Sequence, residues 1–382
     1  MKKVFFLTAS IGLLVFLLLS QFGSYEQKGE RRIEALGSPS KEVLVGVCWP
    51  FSVNRDGMAN GLQMALDEIN SRNLAGGYTL RLVIRDDAFD ANKQKRIAKE
   101  FASTPEMSAV IGYYDDGPAI KASTIFESSR LLHLMIGPNS TDMTSHGFQY
   151  IVRTILSSDR IASKLAAITT KRHYQKIVVL CEEDAFGEDL ARQYRVALDK
   201  LNAQVVYQWS YSRHHADFRL LVNELKMIDA DVIFFSGIEP YAGDFLRIAR
   251  KVGLKTPVIG AFSNTPQMQE HAGSAYEGAM YFDFYDACST TRENSLFVKN
   301  YYARYGTVPD TWAAQSYDAL YLLAKAVKFT GSRNPLDLSY AIRYSDPWEG
   351  ANGRYKFDRA GNLEDKPLFL YMIQHGVPVL IQ

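Results

Sequence analysis

Residues 41–84 read KEVLVGVCWPFSVNRDGMANGLQMALDEINSRNLAGGYTLRLVI and contain the pattern that decides the fold. The run 43–47 is rich in valine and predicts a β-strand. Apolar side chains then recur at helical spacing over 58–69, which predicts an amphipathic helix. A second β-rich run covers 78–84, directly after a Gly-Gly turn. Strand, helix and strand in this order predict a parallel βαβ unit.

The same alternation of short apolar runs and amphipathic segments continues along most of the chain. Because parallel strands need a crossover between them, such a pattern predicts parallel sheets covered by helices on both faces. One sheet with ten or so parallel strands would be unusual, so we expect an α/β protein with two Rossmann-like lobes. The further strand candidates are 109–111, 132–136, 177–180, 232–235 and 257–259.

The order of the segments predicts that one lobe is inserted into the other. The βα series changes near 153–158 and changes again near 281–287. Several crossovers would then join the lobes and form a hinge. Ligands of open α/β sheets bind at the carboxyl ends of the strands, so the cleft between facing lobes is the expected site. We assign 42–156 and 285–345 to lobe 1, and 157–284 with the late crossover and C-terminal strands of 346–382 to lobe 2.

The first residues of the chain predict export from the cytoplasm. A basic start, Met1 to Lys3, precedes an apolar run over 4–19, as in a secretory signal. The apolar run is just short of the length that spans a bilayer, so 1–24 is expected to be a signal peptide or an uncleaved anchor. Residues 25–41 are polar and are expected to be a linker. The predicted location is periplasmic or otherwise extracytoplasmic.

Composition and motifs exclude several classes of protein. The formal net charge is +1, which provides no field to attract nucleic acid or an anionic membrane. The three cysteines lie far apart, and no metal or cofactor motif is present, so we expect neither a metal nor a cofactor. Motifs of a serine nucleophile, a phosphate-binding loop or a zinc protease are absent from the sequence, so we expect no enzyme activity. We expect a monomer.

An ordered series of segments carries a resemblance to a known family. The series resembles the periplasmic branched-chain amino acid-binding proteins, the Leu/Ile/Val-type receptors of ABC importers. The resemblance covers residues 41–382 and implies the type I periplasmic-binding fold, in which two lobes close on a solute. The segments include Gly61–Asn70, Leu82–Ala88, Ala109–Gly112, Glu183–Glu188, Asp231–Gly237 and Gly353–Asp358.

In lobe 1, the resemblance implies ligand contacts in the loops after two neighbouring strands. Asp116 stands where the family is expected to carry a hydroxyl group, and a carboxylate has no proton to donate at neutral pH. A ligand carboxylate beside it would be repelled by about 4 kcal/mol at a separation of about 4 Å. Asp116 is also a candidate cap of the following helix, and both roles stay open. The candidate ligand contacts here are Tyr114, Asp115, Asp116, Asn139, Ser140 and Thr141.

Candidates also come from the first loop and from lobe 2. The position of the family's ammonium-binding carboxylate falls near Phe262, while an acid occurs instead at Glu239. The cleft is therefore expected to be aromatic, with acids and amides but without the usual clamp for an α-amino acid. These candidates are Trp49, Phe51, Asn54, Phe186, Glu239, Phe262 and Ser263.

The functional hypothesis follows from this site. The protein is expected to capture a small polar ligand that is amino-acid-like, an amide or an amine, and that differs from leucine, isoleucine and valine. Delivery to the permease of an ABC importer is the expected next step. The alternative is a ligand-sensing receptor subunit for a membrane signalling protein.

Overall fold

The computed structural model describes residues 23–213 and 217–382, which form two α/β lobes. The predicted signal or anchor, 1–24, lies outside the described residues except for its last two. None of the helices in the described ranges is long and apolar enough to span a membrane.

Lobe 1 is built on a five-stranded sheet with the strand order β2-β1-β3-β4-β5 and parallel pairing throughout. The central strands are buried along almost their whole length, which explains why their sequences are continuously apolar. The strands are β1 (Glu42–Trp49), β2 (Thr79–Asp86), β3 (Met107–Gly112), β4 (Leu132–Met135) and β5 (Ile151–Arg153). The helices are α2 (Met58–Ser71), α3 (Ala91–Ala102), α4 (Asp116–Ser128), α10 (Arg292–Tyr305), α11 (Thr311–Thr330) and α12 (Pro335–Tyr344).

Lobe 2 is built on a seven-stranded sheet with the order β14-β13-β10-β9-β8-β6-β7. Strands β6 to β10 pair in parallel, and the last two strands of the chain add to the edge in antiparallel orientation. The strands are β6 (Lys176–Glu182), β7 (Gln204–Tyr211), β8 (Val232–Ser236), β9 (Val258–Gly260), β10 (Met280–Asp283), β13 (Phe369–Gln374) and β14 (Val377–Leu380). The helices are α5 (Ser158–Lys171), α6 (Ala185–Asp199), α7 (Phe218–Leu225), α8 (Tyr241–Lys251) and α9 (Pro266–Ala272).

A short hairpin of β11 (Trp348–Gly350) and β12 (Gly353–Tyr355) differs from the expected division into lobes. Asp318 of α11 accepts hydrogen bonds from the backbone N–H groups of Ala351 and Asn352, at 2.8 and 2.7 Å. This contact holds the hairpin against lobe 1, so not all of the segment expected in lobe 2 lies there. The hairpin lies against lobe 1 because the buried carboxylate of Asp318 needs hydrogen-bond donors and the hairpin supplies them.

The expected linker is in large part a helix. Residues 23–36 form α1, and the Arg32 side chain is fully buried. Its guanidinium donates hydrogen bonds to backbone carbonyl oxygens near the C-terminal ends of α3 and α4 and at the start of β3. Carbonyl groups at the C-terminal end of a helix lack the full set of intrahelical partners, and the arginine supplies donors to them. The polar sequence concealed this helix because its buried stripe contains an arginine and a glycine.

Candidate functional site

A cavity of about 300 Å³ lies between the lobes, where the carboxyl ends of the two sets of parallel strands meet. Lobe 1 contributes the loops after β3 and β4 and the start of α11. Lobe 2 contributes the start of α6 and the loops after β7, β8, β9 and β10. This is the position at which open α/β sheets bind ligands.

The loop after β3 places Tyr114 and Asp115 in the cavity wall. Strand β3 ends at Gly112, whose φ of 126° favours glycine and whose added Cβ would lie 2.2 Å from the Cys48 carbonyl oxygen. Tyr113 follows with a φ of 63°, and its side chain is buried. The chain thus turns sharply, so that the next two side chains face the cavity.

Asp116 also lines the cavity, but it is almost completely buried and its carboxylate is already bonded. It accepts the backbone N–H groups of Asn139 at 2.8 Å and Ser140 at 3.1 Å. The hypothesis that Asp116 caps α4 is wrong. Asp115 is the N-cap, whereas Asp116 is the first residue of the helix and bonds the neighbouring loop. Burial raises the pKa of its carboxyl to about 7, against the opposing effects of the Asn139 N–H and Arg153.

Arg153 holds the loop that bonds Asp116. Its guanidinium is buried and donates to the carbonyl oxygens of Asn139 and Ser140, at 2.5 and 2.8 Å. The Asn139 side-chain amide donates to the Leu156 carbonyl oxygen at 2.6 Å. Asn139 lines the cavity as expected, whereas Ser140 does not. The backbone groups of both residues, and the side-chain amide of Asn139, already have hydrogen-bond partners within the protein.

Thr141 connects the lobes instead of lining the cavity. Its backbone N–H and its hydroxyl group donate to the carboxylate of Asp189 on α6, at 3.0 and 3.3 Å. Asp189 belongs to lobe 2, so the contact crosses the cleft. The assignment of Thr141 as a wall residue is therefore replaced by a role in lobe contact.

The three candidates from the first loop lie behind the cavity wall. Trp49 is completely buried, and its Nε1 donates to Oδ2 of Asp56 at 2.9 Å. The Asn54 amide donates to the same oxygen at 3.1 Å, and Phe51 packs against the core. None of the three is among the lining residues. Trp49 instead supports the wall, since its ring lies 5.2 Å from that of Tyr114.

Two of the four candidates in lobe 2 line the cavity. Phe186 and Ser263 face it, whereas Phe262 is buried with its ring 6.2 Å from that of Tyr276. Successive residues in an extended segment point to opposite sides, so only one of this neighbouring pair faces the cleft. Glu239 lies behind Ser263 and accepts its backbone N–H at 3.3 Å. Burial raises the pKa of Glu239.

Arg213 is a lining residue that the sequence analysis missed. It follows β7, and its guanidinium bonds the carboxylate of Glu182 and that of Asp184, the latter at 2.9 Å. Among the described lining residues it is the one cation. Its position two residues beyond a strand end was the signal that could have identified it.

Aromatic and acidic residues from the loop after β2, the end of β10 and the start of α11 complete the wall. The rings of Phe89 and Trp312 both contact that of Tyr114, with centroids 5.3 and 5.2 Å from it. Asp283 accepts hydrogen bonds from the hydroxyl group of Thr311 and from the backbone N–H of Phe284. Burial raises the pKa of Asp283 to about 6. Nothing local in the sequence shows that the loop after β2, the start of α11 and the end of β10 meet at one cavity.

Comparison with known proteins agrees with this architecture. A model of the periplasmic binding protein family matches residues 50–377. The chain is 26% identical over 349 residues to Leu/Ile/Val-binding protein homolog 1 of Brucella suis, covering 89% of this chain and 92% of the relative. It is 28% identical over 335 residues to the leucine-specific-binding protein of Salmonella typhimurium, covering 86% and 89% of the two chains.

A solved structure shows the same fold. The ABC transporter substrate-binding protein of Desulfitobacterium hafniense, in complex with Leu, superposes with a TM-score of 0.80 and 28% identity. The match covers 89% of this chain and all of that one. The expected resemblance and the two-lobed α/β fold are therefore confirmed. The chain belongs to the periplasmic binding protein family, as a type I member of its branched-chain amino acid ABC-transporter group.

Proposed function

We propose that this protein captures a small polar solute outside the cytoplasm and delivers it to the permease of an ABC importer. The solute is amino-acid-like, an amide or an amine, and it is neither leucine, isoleucine nor valine. The protein binds the solute without chemical change. A solute-binding role is common to the family matched here, and the ligand and the delivery step are the proposed parts.

The position of the Asp116 carboxylate carries the proposal about the ligand. The N–H groups of Asn139 and Ser140 form a pair of donors at the cleft, and such a pair suits a ligand carboxylate. Asp116 occupies both donors itself. A carboxylate ligand would have to displace it and would meet a like charge, so a ligand without a carboxylate at this point is favoured.

Closure of the lobes is the proposed mechanism of capture. The cavity wall combines Tyr114 and Asp115 of lobe 1 with Phe186 and Ser263 of lobe 2. A ligand can contact both groups at once only when the lobes approach each other. Binding therefore shifts the population toward the closed form, which is the form presented to the permease.

A thermal-shift screen of amino acids, amides and amines against the purified protein tests the proposed ligand class. Binding to the folded state raises the melting temperature by mass action, so an amine or amide should produce a shift. Leucine, isoleucine and valine should produce none. A clear shift with any of these three would contradict the assigned ligand class while leaving solute binding intact.

The delivery step needs a separate measurement. The permease to test is the one whose gene lies beside the gene for this protein. The ligand-loaded protein should stimulate the ATPase activity of that transporter in proteoliposomes, and the ligand-free protein should do so less. If a sensor kinase or chemoreceptor responds to the loaded protein and the transporter does not, the import role is wrong.

A further inference from the structure

We infer that the natural ligand of the interlobe cavity is an organic cation that carries no carboxylate group. This inference rests on the proposed function and narrows its ligand class from amino-acid-like compounds, amides and amines to one charge type. Three features support it: N–H donors at the cavity that already bond carboxylates of the protein, an excess of acidic lining side chains, and the aromatic wall.

Several groups that could bind an anion at the cavity are already bonded to carboxylates of the protein, namely the N-terminal donors of α6 and α11 and the loop after β4. Three helices begin at the cavity, and the N-terminus of a helix attracts negative charge. The aspartates at their N-caps are Asp115 for α4, Asp184 for α6 and Asp310 for α11. Asp184 accepts the N–H of Gly187 at 2.7 Å, so that this donor is occupied.

The guanidinium of Arg213 is neutralised in the same way. It bonds Glu182 and Asp184, and two carboxylates outweigh its single positive charge. The paired N–H groups of the loop after β4 are bonded by Asp116. At each of these positions a ligand carboxylate would have to break an existing bond, and at the N-terminus of α4 it would lie beside Asp115 and Asp116.

The lining charges favour a cation. The described lining side chains include four carboxylates, Asp115, Asp116, Asp184 and Asp283, and one guanidinium. Asp115 differs from the other N-cap residues because its side chain does not bond the N–H groups of its own helix. Its carboxylate lines the lobe 1 side of the cavity without a bond to its own helix, although Gln94 and Arg213 lie near it.

The aromatic wall suits the same class of ligand. Rings attract cations to their faces, and the attraction grows when water is excluded. Aromatic walls combined with carboxylates are a recurrent arrangement for binding ammonium groups. The rings that line the cavity belong to Phe89, Tyr114, Phe186, Phe282, Phe284 and Trp312.

The raised pKa of Asp115 gives cation binding a measurable consequence. Burial raises the pKa of its carboxyl to about 6, although Arg213 acts in the opposite direction. A bound cation would stabilise the carboxylate and lower this pKa again. Binding near pH 6 should therefore release a proton, which calorimetry detects as an enthalpy that depends on the buffer.

A series of compounds with the same branched tail and different charges tests the inference. The compounds are 3-methylbutylamine and leucinamide as cations, 4-methylpentanamide as the neutral amide, leucine as the zwitterion and 4-methylpentanoate as the anion. Isothermal titration calorimetry with the purified protein should show binding of the two cations. Leucine and 4-methylpentanoate should bind at least about tenfold more weakly.

Variants identify the group that binds the cation. Asp115→Asn should weaken the binding of leucinamide by about ten- to hundredfold and should abolish the proton release. Asp229→Asn is the matched control, because Asp229 is 87% exposed and pairs with Lys176, which begins β6 at the opposite end of the sheet from the cavity. A melting curve for each variant shows whether it is folded.

The outcomes separate the inference from the proposed function. Binding of the neutral amide without binding of the cations would overturn the inference and leave the proposed function standing. Equal binding of leucine and leucinamide, or an Asp115→Asn variant that binds leucinamide like the wild type, would also overturn it. If no compound of the series binds, both the inference and the proposed ligand class fail.

Discussion

At Asp116, one side chain accounts for much of the expected selectivity. Asp116→Ser should free the N–H groups of Asn139 and Ser140, which the carboxylate now occupies. The variant should bind leucine at least about tenfold more tightly than the wild type does, since a charge-assisted hydrogen bond replaces a repulsion. Calorimetric titration with leucine is the measurement.

Asp116→Asn is the matched control for this variant. The asparagine has nearly the same size and keeps a carbonyl oxygen that can accept the same N–H groups, so it should gain no leucine binding. If Asp116→Ser is folded and still fails to bind leucine, the occupied donors are not what excludes carboxylates from this site.

The charge of Asp115 should make the stability of the ligand-free protein depend on pH. Because burial raises its pKa to about 6, the folded state binds a proton that the unfolded state has already lost above about pH 4. The free energy of unfolding contributed by this group is therefore present at low pH and lost as the pH rises through about 6. Asp115→Asn should raise the melting temperature by a few °C at about pH 8 and leave it unchanged at about pH 3, below the unfolded pKa, where the aspartate is protonated in both states.

Differential scanning calorimetry of the wild type and the Asp115→Asn variant at both pH values checks this expectation. The difference between the two proteins is the relevant quantity, since it removes the contributions of all other titrating groups. A variant that is less stable than the wild type at high pH would show that Asp115 is stabilised as a carboxylate, contrary to the direction of its pKa shift.

Helix α1 is an integral element of lobe 1 and should contribute to its stability. The buried guanidinium of Arg32 bonds carbonyl oxygens of α3, α4 and β3, which would be left unpaired by truncation. Arg32→Ala should lower the free energy of unfolding by about 3 kcal/mol or more. Arg31→Ala is the control, because Arg31 is the adjacent residue and is exposed.

Urea denaturation of the two variants measures the difference. The Arg31→Ala variant should unfold within about 0.5 kcal/mol of the wild type. Equal stability of the Arg32→Ala variant and the control would mean that α1 can leave lobe 1 without cost, as the expected linker would.

For the molecule as a whole, the contact between Thr141 and Asp189 joins the two lobes and should favour closure. The hydrogen bond of 3.0 Å from the backbone N–H of Thr141 to the carboxylate of Asp189 links the loop after β4 to α6. Asp189→Ala removes the contact, lowers the closed population and should weaken apparent ligand affinity by about three- to tenfold. Asp199→Ala is the matched control, since Asp199 is exposed at the other end of α6.

Small-angle scattering gives an independent readout of the same change. Without ligand, the Asp189→Ala variant should have a larger radius of gyration than the control, and saturating ligand should reduce the difference. An unchanged radius together with unchanged affinity would show that this contact does not influence the opening of the lobes.

The order of strands and helices, the two lobes and the location of the cleft could be predicted from the sequence. These features depend on local periodicity, on the crossover that parallel strands require and on the rule that ligands lie at their carboxyl ends. Tyr114, Asp115 and Asp116 line the cavity for this reason, because they directly follow a strand.

The direction in which each side chain points, and the segments that it contacts far along the chain, could not be predicted from the sequence. They are decided by the tertiary structure. The turn at Tyr113, with its φ of 63°, decides which neighbouring residue faces the cavity, and no periodicity predicts it. The partners of Arg32 are about 70 to 100 residues away along the chain, so its burial gives no local pattern. Local interactions along the chain specify the elements, whereas the contacts that shape this site form only when those elements pack together.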